Sequence, residues 1–435
     1  MNVLFVTIDT LRADHLSAWG YHLETSPNLD KLAAEGVRYE NAYTVTSRTA
    51  PSHLSMFTSR YPQEHGAKLN GFALPQDSKF LLLPQVLQKH GYKNAAFVSA
   101  WPLTKKLTKI DPYFDVYDED LSRSYQTINS MRYAEDVTPR AIDWIKKNKQ
   151  GPFFAWVHYF DPHSPYDFRA EYEVTKSTGK PDHTKDRGED AVMKDLQAYN
   201  SEILYTDHWV GKLIEALDAE EGLKENTLVV VVADHGESIG ERGYQGHSHR
   251  LYESVVHIPM IFRMPGTVVE GKTVSTRVST LDLMPTILDL TVKKTNPNAE
   301  VPTDMDGRSL AANLEKGEDV PDRTVRYVAF GGQKWLMPGW LAKLWLRDLD
   351  FPLKMGYRAG EKKVIWTPEK EELEIFNLTR DPFENKALTP EEGEKAYDGE
   401  TDQLTKWFKA THLTNGENRM DEKDQEALKS LGYIQ

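Results

Sequence analysis

The chain has 435 residues, with 53 Lys and Arg against 66 Asp and Glu and a formal charge of −13. That length admits one large α/β domain with a smaller appendage, and a hydrophobic content of 39% excludes a disordered chain. The acidic balance excludes a sequence-independent nucleic-acid binder, which needs a basic footprint; the absence of cysteine excludes disulfides, thiolate metal sites and a cysteine nucleophile.

Val3–Ile8 is a nearly continuous apolar run, as in a strand buried on both faces, and it ends at Asp9. In Ser47-Arg48-Thr49-Ala50-Pro51-Ser52-His53, the proline with hydroxyl residues before it marks a helix start. Thr49 there is either an ordinary cap or a nucleophile. The positive helix end and its free N–H groups would favour an alkoxide and hold an anionic oxygen. A helix is predicted over Leu82–His90, closed by Gly91, then a strand over Ala95–Val98 and a helix over Ala134–Lys147. A second buried strand, Phe153–Val157, ends near His158, Asp161 and His163. Arg169–Asp190 is polar and reads as an exposed loop. A long helix follows over Val192–Leu217. The nearly all-valine run Thr227–Ala233 ends at Asp234-His235-Gly236, and Pro259–Phe262 is a further strand. Alternating strands and helices imply a mainly parallel sheet covered on both faces, with ligands at the carboxyl ends of the strands.

After about Ala311 the texture changes. Short runs at Val325–Phe330, Lys363–Trp366 and Leu373–Phe376 predict a small antiparallel subdomain, with a last helix over Asp421–Leu431 closed by Gly432. We divide the chain into a catalytic domain, 1–311, and a C-terminal subdomain, 312–435. No internal repeat is present, and no segment is long and apolar enough to span a bilayer. The apolar stretch Trp335–Leu346 reads as core or subunit-interface packing, which leaves a homo-oligomer open, ahead of a membrane-surface contact. Met1 runs directly into a strand, so the sequence as written reads as cytoplasmic, or as periplasmic or secreted if a targeting segment has been removed.

Asp9, Asp234 and His235 combine hard oxygen and imidazole ligands at strand ends, a set that suits Mn²⁺, Zn²⁺, Ca²⁺ or Mg²⁺. His158, Asp161, His163, His247 and His249 form a histidine-rich set. It reads first as a hydrogen-bonding rim around the substrate, with a second metal site as the alternative. Arg12 and Asp14 read as a structural ion pair behind Asp9.

These pieces together resemble the sulfatase-like branch of the alkaline phosphatase superfamily. The resemblance rests on Thr7 to Asp14, on Thr49 to His53 with Ser59-Arg60-Tyr61-Pro62, on His158 to Pro165, and on Ala233 to Glu237. Leu251-Tyr252-Glu253 leading to Ile258-Pro259, and Phe376-Asn377-Leu378 leading to Asp381-Pro382, complete the family order. The resemblance implies an alkaline-phosphatase-like α/β/α sandwich and metal-dependent hydrolysis of sulfate or phosphate esters. It places Asp9, Thr49, Asp234 and His235 at metal-binding positions and Thr49 at the nucleophile. His163 falls where a family histidine contacts the ester or protonates the leaving oxygen, and His249 near a substrate-binding lysine.

The chain also departs from the sulfatase pattern. Sulfatases mature Cys or Ser at the Thr49 position into formylglycine, which threonine cannot become. They usually carry Asp where Thr10 stands and Arg where His53 stands, and the Gly-Lys-x-His element is missing after Ser99. The resulting expectation is a hydrolase of phosphate or phosphonate esters, a phosphodiester or phosphonate monoester favoured, acting on a small molecule with one divalent metal and a second open. Thr49, His163 and His53 are its expected catalytic residues; His158, His249 and Arg48 are its expected substrate contacts. The alternatives are a sulfatase working without formylglycine and, in another class, a retired sulfatase-fold binding protein.

Overall fold

The computed structural model describes residues 1–121, 123–125, 128–182, 184, 190–331, 352–389, 399–410 and 417–421. Trp335–Leu346 and, beyond Asp421, the expected last helix lie outside the described residues.

The centre is an eight-stranded sheet. Its strands in chain order are β1 (Asn2–Ile8), β2 (Val37–Tyr43), β3 (Lys93–Phe97), β4 (Val116–Asp118), β5 (Phe153–Tyr159), β6 (Thr227–Ala233), β7 (His257–Arg263) and β8 (Lys272–Ser279). Their order across the sheet is β8-β2-β7-β6-β1-β5-β3-β4. Only β7 runs against its neighbours. Every residue of β1, β5 and β6 is buried, which is why these strands read as unbroken apolar runs. β1 lies between β5 and β6 with Thr7 level with His158 and Val232, so the chain leaves all three strands at one edge.

Helices cover the sheet in two groups. The helices Pro27–Ala34, Ala134–Asn148 and Asp190–Asp218 pack together on one side; Thr49–Thr58, Leu83–Lys89 and Leu283–Leu288 pack on the other. The first group is tied by a long-range cap: Asp207 of the long helix accepts from the backbone N–H groups of Asn28 (2.9 Å) and Leu29 (2.7 Å), in the first turn of the Pro27–Ala34 helix. The expected loop Arg169–Asp190 is pinned where it is described, through Glu24 N–H to the Lys176 carbonyl and Thr178 N–H to the His22 carbonyl.

The small C-terminal sheet is antiparallel, in the order β9 (Val325–Ala329), β10 (Lys354–Ala359), β11 (Lys362–Thr367), β12 (Glu372–Asn377). Leu310, Leu314 and Val320 still pack in the main core. The small sheet docks through Tyr43, Leu251, Tyr252 and Val256 of the main body against Tyr327, Ile365 and Phe376. Beneath that contact sits an ion network: fully buried Lys363 pairs with Glu253 and Glu384, each at 2.9 Å. Arg358 also pairs with Glu253, at 2.8 Å.

Four strands carry no strong sequence signal: β2, β4, β8 and β10. In β2, Val-Arg-Tyr-Glu-Asn-Ala-Tyr mixes polar and apolar residues, and β8, Lys-Thr-Val-Ser-Thr-Arg-Val-Ser, is mostly polar. Among the described residues no helix is long and apolar enough to cross a membrane.

Candidate active site

Asp9 follows β1 and Asp234-His235 follows β6, so the strand register alone brings them together. The turn after Asp9 puts Thr10 at φ 54°, a left-handed conformation costly for a β-branched residue. Tyr199 holds it there, donating from its hydroxyl to the Thr10 carbonyl (2.7 Å) and accepting from Arg12 N–H (3.0 Å). In return, Thr10 N–H points at Asp234 Oδ1, 3.3 Å away. Behind this turn Arg12 is buried and pairs with Asp14 (2.6 Å) and with Glu241.

The helix that carries Thr49 begins two residues earlier than a reading with Pro51 at its first position places it. Arg48 is the N-cap, Thr49 is the first helical residue and Pro51 the third. Thr49 is therefore not the cap. Its hydroxyl lies 3.5 Å from His235 Nε2. The Ala50 N–H beside it is taken by Asn70, whose Oδ1 accepts at 2.9 Å. That bond fixes the Asn70 amide orientation, and its buried Nδ2 is left without a partner. Asn70 thus stands between the helix end and any anion, a role the Leu69-Asn70-Gly71 sequence does not announce because it reads as a turn.

Asp9, Asp234 and His235 are completely buried, with ligand atoms within 4.8 Å of one another. Neither oxygen of Asp9 accepts a hydrogen bond within ordinary bonding distance, nor does Asp234 Oδ2. Burial drives the Asp9 carboxyl well above the usual range, opposed in part by the nearby Thr49 hydroxyl and Thr10 N–H. Burial, then the Asp9 charge, does the same to Asp234. Two buried acids side by side, with both Asp9 oxygens and Asp234 Oδ2 lacking a close donor, are costly unless a cation lies between them. His235 fits the same purpose. Its Nδ1 donates to the Gly236 carbonyl at 3.0 Å, so its Nε2 lone pair faces Asp9 Oδ1 (3.8 Å) and Asp234 Oδ2 (3.5 Å). The residues present fit a divalent cation held by Asp9, Asp234, His235 and the Thr49 hydroxyl.

A second group of possible ligands is His53, His158 and Asp234. Hydrogen bonds commit its histidines elsewhere. His53 Nδ1 faces the Thr49 carbonyl at 2.8 Å, which can only accept, so that nitrogen carries the proton. His53 Nε2 lies 3.0 Å from the Thr7 hydroxyl, which itself accepts from Trp156 Nε1–H and so donates to His53. His158 Nδ1 takes Ser99 N–H at 3.4 Å, which leaves the proton on Nε2, 3.5 Å from Asp9 Oδ2. His53 thus sits behind Thr49, and His158 behind Asp9.

The remaining histidines divide. His163 Nδ1 donates to the Ser164 carbonyl (2.5 Å) and His247 Nδ1 to the Ser47 carbonyl (2.8 Å), while their Nε2 atoms meet at 3.2 Å. The two Nε2 atoms are thus placed to hold a single proton between them. Burial lowers the His163 pKa to about 4. His247 also stacks on His235 at 4.2 Å. His249 Nδ1 accepts from Arg48 Nη2 at 3.2 Å, so these two expected substrate contacts do lie together at the helix start. Asp161 leaves the set: it accepts from Ala134 N–H (3.1 Å), at the start of the Ala134–Asn148 helix, and faces Arg169 (3.5 Å).

The sulfatase family pattern matches residues 1–293. The chain belongs to the sulfatase family. It is an ester hydrolase of the alkaline phosphatase superfamily. Among sulfatase relatives it is 27% identical to an ulvan-active sulfatase of Formosa agariphila, over 74% of this chain and 66% of that protein. It is 22% identical to an N-acetylglucosamine-6-O-sulfatase of Bacteroides thetaiotaomicron, over 97% of this chain and 88% of that one. Its fold matches the phosphonate monoester hydrolase of Silicibacter pomeroyi with a TM-score of 0.72 at 22% identity, covering 97% of this chain and all of that one.

Proposed function

We propose that the chain hydrolyses an ester of phosphoric or phosphonic acid, a phosphodiester or phosphonate monoester in particular, with Thr49 as nucleophile. The observation that carries this reading is the Thr49 hydroxyl, at the first position of a buried helix, beside the Asp9 carboxylate and 3.5 Å from His235 Nε2. One divalent cation held by Asp9, Thr49, Asp234 and His235 supplies Lewis acidity when bound. Thr49 Oγ1 attacks phosphorus in line and the ester alcohol departs, leaving a phospho-threonine. The Nδ2 of Asn70 and the Arg48 guanidinium orient the non-reacting oxygens. The proton that Thr49 gives up passes to the His163–His247 pair, whose facing Nε2 atoms can hold it between them, and His163 hands it through Nε2 to the departing alkoxide. Water then attacks phosphorus, the P–Oγ bond breaks and the threonine hydroxyl is restored.

Threonine favours phosphorus over sulfur. A formylglycine hydrate has two hydroxyls: one attacks sulfur, and the other expels sulfate by re-forming the aldehyde. Threonine has one hydroxyl, so a sulfo-threonine would need water to attack a sulfate ester. A phospho-threonine is cleared by attack at phosphorus.

The family match and the two named relatives favour a second reading, a sulfatase working without formylglycine. The test is kcat/KM for one aryl leaving group presented on a diester, a monoester, a phosphonate monoester and a sulfate, with Thr49→Ala as control. Diester or phosphonate should lead, and Thr49→Ala should lose activity on both. A leading sulfate establishes the second reading. Absence of turnover on every ester, with metal added, leaves a retired binding protein.

A further inference from the structure

A cleft of about 410 Å³ opens between the loop that carries His249 and the edge of the small C-terminal sheet. Its walls carry Arg242, Arg250, Lys354 and Lys370 against only Glu372 and Glu374. The chain as a whole is at −13, so this local excess of positive charge runs against its composition. Glu374 is already engaged by the Tyr252 hydroxyl (2.9 Å), Arg242 (3.1 Å) and Lys354 (3.8 Å). One carboxylate is thus shared by two cations. Arg250 stacks over the Tyr244 ring at 4.4 Å, and its Nε is buried without a hydrogen bond. Burial also lowers the Lys354 pKa, so its ammonium gains from any added anion.

The cleft connects with the chemistry. His249, in its wall, bonds to Arg48, the residue that precedes Thr49. A row of donors therefore runs from the nucleophile through Arg48 and His249 to Arg250 and Lys354. We propose that this cleft is a subsite for a second anionic group of the substrate, a carboxylate, sulfate or phosphate on the unit next to the reacting ester. The inference rests on the ester-hydrolase reading of the Thr49 site and narrows it to esters with at least two separated negative charges. It also gives the C-terminal sheet a task, because Lys354, Lys370 and Glu374 come from it.

The test is equilibrium binding of non-hydrolysable probes to the full chain: benzenesulfonate against meta- and para-benzenedisulfonate. A charge-assisted contact at the second site should make one disulfonate bind about tenfold more tightly than the monosulfonate. Raised salt should shrink that ratio. The ratio should fall towards unity in Arg250→Gln and in Lys354→Gln, with Lys370→Gln, at an exposed position, as a further variant. Thermal unfolding of each variant shows whether it is folded. Equal binding of the probes, absent binding of both disulfonates, or a ratio that survives in a folded Arg250→Gln Lys354→Gln double variant overturns the subsite. A disulfonate preference without turnover of any aryl ester would keep the subsite and reject the chemistry proposed for Thr49.

Discussion

His53 donates from Nδ1 to the carbonyl of Thr49, one helical turn before it, at 2.8 Å, and takes the Thr7 hydroxyl on Nε2 at 3.0 Å. The imidazole thereby ties the first residue of the nucleophile helix to β1, two positions before Asp9. Burial, then the neighbouring His158, pushes its pKa well below the usual value, which favours the neutral ring. His53→Ala should lower kcat by up to about a hundredfold through misplacement of Thr49, with KM little changed. The pH–rate profile should keep its shape. A lost acid or basic limb in the variant would instead make His53 a proton carrier.

Asp9 and Asp234 should behave oppositely with and without metal. In metal-free protein Asp9→Asn removes a buried charge beside another, and should stabilise by about 1–3 kcal/mol. With metal bound the same change removes a ligand and should destabilise. Asp234→Ala should lose bound metal and lower kcat/KM by about a thousandfold or more. Denaturant titrations with and without chelator, and metal analysis of each variant, check this. Full wild-type activity after exhaustive chelation would remove the metal from the account.

His163 is expected to serve the leaving group. His163→Ala should therefore slow esters with basic leaving alkoxides far more than activated aryl esters, by about a hundredfold in relative kcat/KM. A Brønsted plot against leaving-group pKa measures it. An equal loss at every leaving group, with loss of bound metal, would move His163 to a second metal site.

The Lys363 network should hold the small sheet to the main body. Burial alone would raise the Glu253 pKa, but Lys363 and Arg358 pull it below the usual glutamate range. A depressed folded pKa means stability that is present above the unfolded value and lost as pH falls below it. Burial pushes Glu384, in the same network, the other way, up to about 7, so the weakening in acid belongs to Glu253 and should appear only below the ordinary glutamate titration. Lys363→Met leaves buried Glu253 and Glu384 short of a cation and should cost about 3–5 kcal/mol at neutral pH, read by thermal or denaturant unfolding. A change within experimental error would show that the apolar contact of Tyr43 and Tyr252 with Phe376 suffices.

The parts of the fold legible in the sequence were those where burial on both faces leaves an unbroken apolar run. That is why β1, β5 and β6, and with them Asp9, His158 and Asp234, could be placed in advance. β2 and β8 escaped because β2 mixes polar with apolar residues and β8 is mostly polar, so both resemble exposed chain. The antiparallel small sheet was legible except β10, where Gly356 and the lack of β-branched residues in Lys-Met-Gly-Tyr-Arg-Ala leave a weak strand signal. Within the site, residue types were legible but proton positions were not. The role of His53 depends on a carbonyl and a Thr7 hydroxyl from distant segments. Asn70 was invisible because its importance lies in which backbone N–H it accepts. Asp161 sits in a family motif, yet three-dimensional packing turns it to the Ala134 helix end.

The central claim, attack by Thr49 on phosphorus, is tested most directly by the stereochemical course at a chirally labelled phosphorus. Two in-line displacements, first by Thr49 and then by water, each invert configuration, so hydrolysis should proceed with net retention. Net inversion would mean that water attacks the ester directly, and would contradict the account.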